Sequence, residues 1–121
     1  MITGIFTALV LTGCYERERN CADFKTGKFK FEYEIEGKKH TTLFERRNDI
    51  EIENYNGDID TSTVRWINDC EYILQKINPK NMQEKKAVHM KILSTTEKTY
   101  NFEFAIVGDH NKQKGTVTKL N

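Results

Sequence analysis

Proline is almost missing from this sequence: there is one in 121 residues, alongside one tryptophan, three histidines and three cysteines. Each scarcity removes a class of function. His40, His89 and His110 lie in separate stretches with no HxH or HExxH spacing, and no two cysteines form a CxxC pair. Zinc binding and thioredoxin-like exchange therefore lack ligands at workable separations. Ser62 and Ser94 are the only serines, and neither sits in a GxSxG turn. No GxxxxGK[ST] loop is present to cradle a phosphate. Asp58 and Asp60 beside Asn56-Gly57 have the look of a calcium loop, but the later bidentate Glu is missing and a hairpin turn accounts for the same residues. Nor is there an excess of either charge: 19 basic residues balance 18 acidic ones, so no long-range field draws in nucleic acid or an anionic surface. The acidic residues fall on the polar faces of alternating stretches, where solvation explains them. The expectation is a protein that is not an enzyme, holds no metal or cofactor and has no nucleic-acid partner.

Charge is also missing from one place in particular. Residues 1–13 carry no charged side chain, whereas 31% of the whole chain is charged. Ile5-Phe6-Thr7-Ala8-Leu9-Val10-Leu11 is a short apolar run followed by the small residues Thr12 and Gly13. It falls short of the ~20 apolar residues that span a bilayer, and its layout is that of a secretory signal, although no Lys or Arg precedes it. Leu11-Thr12-Gly13-Cys14 resembles the lipobox of bacterial lipoproteins, in which the cysteine thiol is acylated and becomes the mature N-terminus. The resemblance implies a signal peptide over 1–13, lipid on Cys14, and a domain held outside the cytoplasm on a membrane of the cell envelope. The alternative is a buried first strand with an ordinary cysteine. The alternating Tyr15-Glu16-Arg17-Glu18-Arg19-Asn20 reads as a solvated spacer, so 14–26 is expected to be lipidated N-terminus and tether. With Cys14 acylated, Cys21 and Cys70 remain as an even pair. Export allows them to bridge, and two free buried thiols are the alternative.

From Gly27 the period is two. Phe29, Phe31, Tyr33 and Ile35 alternate with charged residues, and His40 to Arg46 reads as the return strand after a turn at Glu36-Gly37-Lys38-Lys39. Ile50 and Ile52 alternate with Glu51 and Glu53, and Asn56-Gly57 is a hairpin signal because both residues tolerate positive φ. Thr61 to Ile67, Cys70 to Ile77, Val88 to Ile92, Tyr100 to Ile106 and Thr116 to Leu120 follow. Only 78–86 interrupts, where the single proline and Asn81-Met82-Gln83-Glu84 suggest a capped helical turn near 79–86. The reading is a single mostly-β domain over 27–121: an antiparallel meander of about eight strands, closed as an up-and-down barrel or lipocalin-like roll, with a β-sandwich as the alternative. In a closed barrel Phe29, Phe31, Tyr33, Phe102, Phe104 and Ile106 converge, and that many large side chains are expected to fill the interior.

The most distinctive stretch is Val64 to Leu74, with the only tryptophan. Trp66 and Tyr72 read as core anchors of a hairpin turning at Asn68-Asp69. The functional reading puts them in the lining of a cavity with Arg65 at its mouth, as ligand or partner contacts. Together with Cys21-Ala22-Asp23-Phe24-Lys25-Thr26-Gly27-Lys28-Phe29 and Gly115-Thr116-Val117-Thr118-Lys119, this stretch resembles a family of small uncharacterised lipoproteins of bacterial envelopes. Relatives in that family are sometimes labelled DNA topoisomerase IV. The residues contradict such a label: the chain is far too short for a nucleotide-binding or DNA-gate domain, and it is not basic. Two functions follow as expectations. The first is a lipid-anchored structural or protein-interaction module meeting an unknown envelope protein. The second is a lipocalin-like carrier of a small apolar ligand.

Overall fold

The computed structural model describes residues 19–121. The expected leader, the lipid-acceptor Cys14 and the charged residues up to Glu18 lie outside the described residues. Eight strands follow one another: β1 (Gly27–Ile35), β2 (Lys38–Arg47), β3 (Ile50–Tyr55), β4 (Asp58–Asn68), β5 (Glu71–Lys76), β6 (Val88–Thr95), β7 (Thr99–Ile106) and β8 (Gln113–Lys119). Each pairs antiparallel with the next, and β8 returns to β1 with Val117 opposite Phe31, so the sheet closes into an up-and-down barrel. Among the described residues, closure leaves no free sheet edge to aggregate.

Local chemistry sets the meander. At the β3–β4 hairpin Asn56 and Gly57 have φ of 52° and 89°, and at β1–β2 Glu36 and Gly37 have φ of 51° and 78°. Paired positive φ values match the right-handed twist of the strands they join. Between β4 and β5 the register shifts between Trp66 and Asn68, which moves the turn one residue on, to Asp69–Cys70.

The 79–86 segment keeps its expected capping bonds. Asn81 Oδ1 accepts from the Glu84 N–H at 2.9 Å, and Glu84 Oε1 accepts from the Lys80 N–H at 3.0 Å. These bonds close isolated turns, not a regular helix, because the mostly exposed segment has no apolar face whose burial would offset nucleation. The regular helical element among the described residues is a 3₁₀ helix at Cys21–Phe24, inside the stretch the sequence assigned to the tether.

That 3₁₀ turn belongs to the body. Cys21 and Phe24 are buried in the main core with Phe29, Phe44, Ile92, Tyr100, Phe102 and Val117. The Phe24 ring meets Tyr100 edge-on at 5.2 Å, and a disulfide joins Cys21 to Cys70. The turn thus plugs one end of the barrel, the end that also carries the β2–β3, β4–β5 and β6–β7 turns. Both ends of the described residues are tied there: the Asn20 N–H donates to Thr95 Oγ1 at 2.8 Å, and the Leu120 N–H to the Lys28 carbonyl at 2.7 Å. The opposite end, ringed by the other four connections, is the mouth.

Candidate functional site

A buried cation forms the floor of the site. On β2, Thr42, Phe44 and Arg46 share the inner face and all are buried. Arg46 Nε donates to Glu51 at 3.0 Å, Nη1 to the Phe24 carbonyl at 2.6 Å, and Nη2 to the Tyr72 and Tyr100 hydroxyls at 2.8 and 2.9 Å. The guanidinium also lies over the rings of Tyr72 and Phe29, 4.7 and 4.9 Å from their centroids. Burial works against the charged form, but Tyr72, Tyr100 and Glu51 outweigh it, and the Arg46 pKa lies above its ordinary value. Burial likewise pushes the Tyr72 hydroxyl well above its usual range, against the pull of Arg46.

Arg46 also explains an inversion. In β3 the aliphatic residues, Ile50 and Ile52, turn outward while Glu51 and Glu53 face the interior, contrary to the expectation that the acidic residues are solvated. Arg46 pairs across the sheet with Glu51, and Phe44 with Glu53. A one-residue slip would point the isoleucines inward and leave a buried guanidinium with no carboxylate, at a cost of several kcal/mol.

Above this floor the barrel is hollow. A cavity of about 440 Å³ opens toward the mouth. The expected convergence of Phe31, Phe102 and Phe104 occurs, with centroids 5.5 Å apart for both Phe31–Phe102 and Phe102–Phe104. The expected filling does not. These rings stand on β7 and β1, the two strands that flank β8, and at the intervening position β8 carries Gly115. A Cβ there would lie 2.7 Å from the Phe31 ring and 2.9 Å from that of Phe102. Glycine lets the rings gather against one wall instead of reaching across.

The lining is divided. Val88 and Met90 of β6, Phe104 and Ile106 of β7, and Phe31 of β1 make an apolar side. Thr42, Glu51, Glu53 and Ser62, from β2 to β4, make a polar side. At the mouth the β5–β6 connection contributes Gln83, Glu84 and Lys86. Lys76 reaches Asp60 at 3.3 Å and Glu84 at 3.6 Å. His40 Nδ1 and the Tyr55 hydroxyl share a hydrogen bond of 2.7 Å, and the Tyr33 ring stacks on His40. Burial, with the like charges of Glu51 and Asp60 outweighing Lys76, raises the Glu53 carboxyl to about 7.

The residues expected to meet at a ligand are separated. Tyr72 lines the cavity as part of its floor. Trp66 is packed below it, 4.5 Å from the Tyr72 ring, with the Lys25 ammonium 5.1 Å from its own. Arg65 is exposed on the outer wall opposite Ile73, away from the cavity mouth, because it is one residue out of phase with Val64 and Trp66. Cys21 and Cys70 are joined as expected, and Cys14 lies outside the described residues. Arg46, Glu51 and Glu53 were not among the expected site residues. Arg46 did leave a signal, an arginine in phase with Phe44. No periodicity marks the two glutamates as internal. Comparison with family models, curated proteins and solved structures found no match to this chain.

Proposed function

We propose that this protein is a lipid-anchored envelope lipoprotein whose barrel holds one small, largely apolar molecule, and that it acts as a carrier or receptor without catalysing a reaction. One observation carries the reading: the 440 Å³ cavity, within the ~300–1,000 Å³ usual for small-molecule sites. The placement of the ends supports it. The described chain starts at the plugged end, so a lipid on Cys14, an extended ~20 Å or less before Asn20, would leave the mouth facing away from the bilayer. The interaction-module reading has the exposed Leu43, Ile59 and Ile67 in its favour. Leu43 and Ile59 flank Asn54 instead of touching each other, and scattered apolar residues of this kind are ordinary on a soluble surface.

The test is titration with N-phenyl-1-naphthylamine, whose fluorescence rises in an apolar site. Saturable binding is expected. Val88→Trp, which puts bulk into the cavity, should weaken it by about tenfold, since overpacking costs ~1–3 kcal/mol. Absence of saturable binding, with no rise in melting temperature, would refute the reading. The anchor is tested separately by metabolic labelling with a fatty acid. The wild type should take up label and Cys14→Ser should not; a Cys14→Ser protein still labelled would show that the acceptor is elsewhere.

A further inference from the structure

The cavity repeats its own floor with one component changed. In the floor layer an internal cation, Arg46, is held by Glu51 and aromatic rings. Two residues further along β3, on the same inner face, Glu53 stands across the sheet from Phe44 and opposite the apolar wall. Here the protein supplies an acid and rings but no guanidinium.

Among the described residues, the charges facing Glu53 leave it without a cation of its own. From β2 comes Arg46, committed to Glu51 of β3, with His40 tied to Tyr55 at the rim. From β4 comes Asp60, which adds negative charge, and from β5 Lys76, whose ammonium is shared between Asp60 and Glu84 of the β5–β6 connection. Lys86, the remaining cation of the lining, is exposed. Among the described residues no hydrogen bond or ion pair reaches Glu53, and no sealed side-chain oxygen lacks a partner, so its carboxylate opens onto the cavity. A carboxylate in an apolar setting is costly without a counter-charge, and aromatic faces favour a cation beside it.

We propose that the ligand is a small apolar amine, with its hydrocarbon body against the β6–β7–β1 wall and its ammonium at Glu53. A fatty acid of the same size would bring a third carboxylate to an acid that already faces those of Glu51 and Asp60. This inference rests on the carrier reading and deepens it. The raised Glu53 pKa agrees with it, because a bound ammonium relieves the strain of ionising that group.

The experiment displaces N-phenyl-1-naphthylamine with decylamine, decanol or decanoate at pH 8, where Glu53 is ionised. Decylamine should compete at about tenfold lower concentration than decanol, the scale of one charge-assisted contact, and decanoate should be the weakest. Glu53→Gln, of equal size and without the charge, should bring decylamine and decanol level. Probe binding with decanoate equal to or better than decylamine, or an amine advantage that survives Glu53→Gln, would overturn the inference while leaving the carrier reading intact. Failure of the probe itself to bind would remove both. If Glu53→Gln does not fold, the wild type decides alone. Decylamine stays protonated throughout, so its advantage over decanol should fall between pH 8 and pH 5 as Glu53 takes up a proton, and a flat profile would overturn the proposal.

Discussion

Replacing Arg46 by methionine tests whether the floor of the barrel is held electrostatically. The substitution keeps an apolar stem of similar length and removes four donated hydrogen bonds at once. Its main consequence falls on Glu51, which is 3% exposed and would lose the counter-charge beside it. Breaking a buried pair from one side costs ~3–5 kcal/mol, mainly through the stranded charge. The Phe24 carbonyl would also lose its donor, a penalty of ~1–3 kcal/mol when fully sealed, which overlaps the first and is not added in full. A loss of about 4 kcal/mol is expected, and for a domain of this size it corresponds to a melting temperature lower by ~15–30 °C. The decisive comparison is the double variant Arg46→Met with Glu51→Leu. Once both charges are gone nothing ionised is stranded, and more than half of the lost stability should return. Urea unfolding with the disulfide intact, fitted with a common m-value, measures both differences. An Arg46→Met protein within ~1 kcal/mol of wild type, or a double variant no more stable than the single one, would refute the argument.

Two further perturbations probe the wall and the plug. Glu53 has its pKa raised to about 7 from 4.5, so between those values the folded state binds more protons than the unfolded one. The stability associated with its neutral form is therefore complete below about pH 4.5 and is lost as pH rises through 7. Glu53→Gln should stabilise by ~1–3 kcal/mol at pH 8 and by almost nothing at pH 4.5; an equal effect at both pH values in urea unfolding would contradict the assigned burial. The Cys21–Cys70 bridge has a sequence separation of 49, which by loop-closure entropy stabilises by ~4 kcal/mol. Cys70→Ser should lower the melting temperature accordingly, and neither cysteine should react with a thiol reagent in denatured, unreduced wild-type protein. Two reactive thiols there would show that the bridge does not form.

How far the residues alone lead is seen by comparing strands. In β1, Phe29, Phe31 and Tyr33 alternate with Lys28, Lys30, Glu32 and Glu34, so the pattern states both the strand and its inner face. Asn56-Gly57 states the hairpin, because few other pairs accept positive φ twice. About eight such segments, all but one pair joined by short connections, already require a meander that closes or folds over. In β3 the pattern is ambiguous: Ile-Glu-Ile-Glu defines two faces but not which one is inside. Pairing with β2 decides it, because Arg46, forced inward by its phase with Phe44, needs Glu51 across the sheet.

Alternation and turn chemistry are local properties, and they determined the architecture: an antiparallel β chain of about eight strands. The site belongs to tertiary structure, because it depends on which residues meet across the barrel. Arg65 was set outside and Tyr72 inside by a phase difference that becomes a direction only once the sheet closes. The cavity arose because Gly115 on β8 let the Phe31 and Phe102 rings share one wall, leaving the opposite wall to Thr42, Ser62 and Glu53. Counting large side chains predicts a full interior. Whether those side chains spread across it or stack on one side is a matter of strand order and close approach, and only the closed barrel supplies both.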